Sequence, residues 1–108
     1  MFDIRYQYSL VFQSMTLASF KQTLIKDTPP DSLSVVQMAL WYDGKGDWEK
    51  AHDLINDRTD LVAAHIHAYL HRKEGDHGNA RYWYNRAGKP VSQKSLQQEW
   101  EELVDLYL

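Results

Sequence analysis

Five histidines, His52, His65, His67, His71 and His77, stand in a chain of 108 residues, and four of them fall between positions 65 and 77. On a helix, His67 and His71 are related as i and i+4, so their imidazoles share one face and can grip a single ion. Glu74 follows one turn on, and His52 can face the pair from a preceding helix. His52, His67, His71 and Glu74 therefore form a candidate set for one divalent metal ion of the zinc or iron type, either simply bound or serving a metal-dependent hydrolase. The His-Glu-x-x-His pattern, which adds a general base to two helical ligands, is absent. The ordinary alternative is histidines that are buried and hydrogen-bonded or that line a groove. That alternative is the favoured expectation, with no cofactor.

The polar run from His71 to Asp76 offers a second chemistry. Arg72, helped by Asn79 and Arg86, could recognise a carboxylate or phosphate. The plainer reading is a solvated helix end, with Arg72 and Lys73 complementing the negative helix terminus and Asp76 capping the next helix. Tyr82, Trp83 and Tyr84 are consecutive, so at 100° per residue they spread over about 200° of a helix and cannot all be core. One of them beside Arg81 and Arg86 has the composition of a binding anchor.

Other chemistries are excluded by what is missing. The chain has no cysteine, which removes disulfides, thiolate nucleophiles and iron-sulfur ligands together. It has no Gly-x-Ser-x-Gly elbow, and Gly44-Lys45-Gly46 lacks the rest of a phosphate loop. Lys and Arg number 12 against 15 Asp and Glu, a net charge of -3, so no summed positive field draws in nucleic acid. Apolar runs are a few residues long, far short of the roughly 20 that a membrane helix needs. No basic segment followed by a hydrophobic stretch opens the chain, and a cytoplasmic protein is expected.

The elements that must position these residues are helices. Thr16 caps a stripe of Leu17, Phe20, Leu24 and Ile25 running to Asp27, which Pro29-Pro30 stops. Asp31 to Ser34 caps a second helix that ends at Gly44 and Gly46, where glycine relieves a left-handed terminus. Asp47 caps a third, Trp48 to about Ile55. The fourth, Leu61 to Glu74, is apolar or aromatic on nearly all sides and so central. Asp76 caps a fifth, closed by Gly88 and Pro90, and Ser95 with Gln98 makes a capping box for a sixth carrying Leu96, Trp100, Leu103 and Tyr107. The expectation is an all-α domain over residues 15–108, six helices in antiparallel hairpins. Residues 1–14 alternate polar and apolar and read as a strand-like or disordered extension, able, with the Trp100 stripe of the sixth helix, to pair with a second copy in a homodimer scaffold.

A shift of 29 residues superposes Ala39 on Ala68, Gly46 on Gly75, Asp47 on Asp76, Ala51 on Ala80 and Asn56 on Asn85. Glycine supplies a left-handed end, aspartate the next cap, and alanine lets two backbones approach closely. The Gly46-Asp47 and Gly75-Asp76 stretches with Ala68, Ala80, Tyr84 and Ala87 resemble tetratricopeptide repeats, and Tyr82 to Ala87 is similar to Sel1-like repeats. Residues 41–88 also resemble short bacterial proteins of unknown function, a likeness that carries a fold but no activity. The resemblance implies two short repeats with capping helices and a concave face along the fourth helix. That face would use His67, His71, Arg72, Glu74, Asn79, Tyr82 and Arg86 to hold a protein, a peptide or a small acidic ligand, without catalysis.

Overall fold

The computed structural model describes residues 15–108; the strand-like or disordered extension expected at 1–14 lies outside the described residues. The described residues form an all-α globule of six helices: α1 Leu17–Thr23, α2 Val35–Gly44, α3 Trp48–Ile55, α4 Leu61–Lys73, α5 His77–Ala87 and α6 Leu96–Tyr107. Each starts on a side chain that accepts a hydrogen bond from the first turn. Thr16, Ser34 and Ser95 close capping boxes with Ser19, Gln37 and Gln98, while Asp47, Asp60 and Asp76 cap α3, α4 and α5.

The elbows joining α2 to α3 and α4 to α5 share one geometry. Gly46 and Gly75 sit at φ +89° and +88°, the left-handed region where a side chain is strained. The Asp47 N–H donates to the Tyr42 carbonyl, and the Asp76 N–H donates to the His71 carbonyl, both at 2.9 Å. Gly46 and Gly75 donate to the carbonyls of Asp43 and Arg72 in the same way. Gly44 plays a different part from the one expected: it is helical, and a Cβ there would stand 2.9 Å from the Trp100 ring. Space against Trp100 is what it supplies.

Helix α1 stops earlier than its apolar pattern indicates. Thr23 turns its hydroxyl back on the Phe20 carbonyl at 2.6 Å and accepts from the Trp41 indole N–H at 3.0 Å. Past it the chain tightens into i to i+3 bonds, and Lys45 Nζ reaches the Leu24 and Lys26 carbonyls at 2.8 Å. Ile25, in the expected stripe, is consequently 83% exposed.

Helix α4 is the centre. Every residue from Ala63 to His71 is buried, against Phe20, Leu40, Trp41, Ile55, Trp100, Leu103 and Val104 from four other helices and against Ala80 and Tyr84 of α5. Two buried carboxylates fix it on different sides. Asp43 of α2 accepts from Tyr69 Oη at 2.7 Å and Lys73 Nζ at 2.9 Å. Glu99 of α6 accepts from Arg72 Nε at 2.9 Å and from Tyr84 Oη at 2.5 Å. Carboxylates so deep are tolerable because each has a cation and a hydroxyl.

Candidate metal centre

Three consecutive helices each contribute one i, i+4 pair to the same place. Helix α3 brings Trp48 and His52, α4 brings His67 and His71, and α5 brings Asn79 and Trp83. The Trp48 indole N–H donates to the Leu70 carbonyl at 2.8 Å, which locks that ring over the end of α4. Trp48 stacks on His52, with centroids 4.9 Å apart and planes within 8°, and Trp83 stacks on His67 at 3.9 Å and 15°. His67 and His71 stack on each other at 4.8 Å, while His52 stands edge-on to both. The result is a triad of imidazoles closed on two sides by indoles.

One nitrogen from each of His52, His67 and His71 lies within 4.8 Å of the other two. His52 Nε2 and His67 Nε2 are 2.9 Å apart, so one carries a hydrogen and donates to the other. A tetrahedral ion with bonds of about 2.0–2.1 Å spaces its ligands about 3.3 Å apart, between the 2.9 Å of this pair and the 4.8 Å bound on the triad. His67 Nδ1 is buried with no hydrogen-bond partner among the described residues. A buried ring nitrogen without a partner is costly, and this one lies on the far side of the ring from the Nε2 that meets His52.

Charge favours the neutral, ligating form. Burial, followed by the closeness of His52 and His71, pulls His67 down to about 4. Burial and the nearby His71 also lower His52, against smaller opposing pulls from Asp53 and Glu74. Both rings are therefore neutral at pH 7 and need lose no ammonium-like proton to bind an ion.

Glu74 does not join the triad as a ligand. Its Oε1 accepts from His71 Nδ1–H at 2.6 Å, a bond that in the neutral ring leaves the lone pair on Nε2. Asn79 Nδ2 meets that lone pair at 3.3 Å. A second grouping of His71, Glu74 and Asp76 sits at the exposed helix end, where Asp76 is occupied as the α5 cap.

Of the other residues expected to line a groove, Arg72 is turned to α6, where Nε donates to Glu99 Oε1 and Nη2 lies 2.9 Å from the same oxygen with no hydrogen bond of its own. Tyr82 is 53% exposed, with Arg86 3.5 Å from its hydroxyl and the Arg86 guanidinium over Trp83. His65 stands apart, buried against Tyr107 Oη at 2.7 Å, and His77 is exposed. The indole walls went unread in the sequence, although Trp48 and His52 at i, i+4 were a visible signal.

Compared with protein-family models, with curated proteins and with solved structures, the chain matches none. Function must therefore be argued from the site itself. Among the described residues no helix is long and apolar enough to cross a membrane.

Proposed function

We propose that this protein binds one divalent transition-metal ion through His52, His67 and His71. The observation that carries the reading is the convergence of three imidazole nitrogens from two helices, walled by Trp48 and Trp83. Neutral imidazoles without oxygen ligands suit zinc, cobalt, nickel or copper and disfavour calcium and magnesium. Glu74 supports the reading, because a carboxylate on the far nitrogen of a histidine is the usual device for aiming a ligand ring.

Titrating chelator-treated, tag-free protein with cobalt(II) or zinc tests it. One equivalent should bind, with intense visible bands for cobalt in a tetrahedral field. Alanine at any one of the three histidines should weaken binding sharply, whereas His77→Ala should leave it unchanged. Absence of binding by the wild-type protein at micromolar metal refutes the reading.

A second reading rests on a separate observation. Tyr82 is exposed beside Arg86 and Trp83, an aromatic and cationic edge suited to an acidic peptide, as expected of a helical-hairpin interaction module. Loss of peptide capture in Tyr82→Ala, with metal binding intact, would distinguish it.

A further inference from the structure

The three histidines supply three ligands where zinc and cobalt take four, so the class of the fourth ligand can be asked of the residues around the triad. This inference rests on the metal reading above. Two observations bear on it, one of geometry and one of charge.

With His71 Nδ1–H given to Glu74, the lone pair of the neutral ring is on Nε2, and Asn79 presents its NH2 to it at 3.3 Å. An ion on Nε2 takes over the lone pair to which Asn79 now donates. The amide must then find another acceptor nearby. Its backbone cannot leave, because the Asn79 N–H is fixed to Asp76 Oδ1 at 3.2 Å in the α5 cap and the next residue, Ala80, is buried in the core. Side-chain rotation alone moves it, either toward a further ligand on the ion or out to water. Asn79 is also half-buried, between exposed Gly78 and buried Ala80, beside the triad.

Charge then selects the ligand. A divalent ion among three neutral rings carries +2 into a site with indole walls, and Glu74 behind His71 returns one negative charge. Asp53 is exposed and screened by water. One unit of positive charge remains to be met, and a monoanionic oxygen donor meets it. We propose that the fourth position takes a small carboxylate or other monoanionic oxygen ligand, held by a hydrogen bond from Asn79 Nδ2.

Acetate added to the cobalt(II)-loaded protein in a non-coordinating buffer is the test, read from the visible bands. Acetate should perturb the wild-type spectrum saturably. In Asn79→Ala the cobalt affinity should stay within about threefold, while the acetate dissociation constant rises about tenfold or more, the worth of one charge-assisted hydrogen bond. Circular dichroism confirms the fold, and Asn79→Asp gives a second reading: the shape is kept, and its own carboxylate should exclude acetate altogether. Equal acetate binding in wild type and Asn79→Ala overturns the inference. So does a wild-type spectrum indifferent to acetate, or loss of cobalt from Asn79→Ala, which would make Asn79 itself a ligand. Failure of the wild-type chain to bind cobalt is a different result, since it removes the metal reading and this inference with it.

Discussion

Acidification should destabilise the metal-free protein before its carboxylates titrate. His65 and His67 are 4% and 3% exposed, and burial holds both at about 4 against 6.5 for a free imidazole. For His65, Lys89 adds to the depression and Glu102 opposes it. The folded pKa lies below the unfolded one, so no penalty exists above pH 6.5. As pH falls below 6.5 the unfolded chain takes up protons that the native state refuses, and stability is lost until the folded value near 4 is passed. A displacement of that size is worth about 3.4 kcal/mol per ring when complete, and about 2 kcal/mol at pH 5. The two rings together therefore remove about 4 kcal/mol at pH 5, a large part of the 5–15 kcal/mol typical of a small domain. Urea denaturation with a chelator present, at pH 7.5 and pH 5, measures this. In His65→Gln about half of the loss should vanish, because Gln can bond Tyr107 Oη but cannot charge. A midpoint that stays constant between the two pH values refutes the reasoning.

Glu74→Gln should lower metal affinity by about 10- to 100-fold with no change in helix content, seen by competition with a chromophoric chelator. Glu99→Ala strands Arg72 and Tyr84 in the core and should cost about 3–5 kcal/mol in denaturant titrations, far more than Glu101→Ala on the exposed face of the same helix. Gly75→Ala forces a side chain into φ +88° with open space around it, so its cost should be strain alone, about 1–2 kcal/mol by thermal unfolding.

The parts of this fold that depend on neighbours in the chain were legible in the sequence. Ser34, Asp47, Asp76 and Ser95 cap the helices expected of them, since a cap bonds only a few residues onward. Half of the candidate site was legible for the same reason, because His67 and His71 are one helical turn apart. What was illegible depends on which helix faces which. Glu99 stands among Gln97, Gln98, Glu101 and Glu102 with nothing local to single it out, yet it is 1% exposed because α6 turns that one position onto Arg72 and Tyr84. Arg72 read as a recognition residue or a helix end, and only its distant partner shows otherwise. Ile25 and Leu61 read as core and are 83% and 65% exposed, since each sits just where its helix frays or begins.

Asp43 and Glu99 grip α4 from different directions through Tyr69, Lys73 and Arg72. A helix pinned at two bearings cannot roll about its own axis. Its imidazoles at 67 and 71 are thereby aimed toward α3 when the chain folds, and little orientational freedom is left to surrender when something enters between them. Loosening either bearing should blunt that aim from a distance, without touching a single ring of the triad.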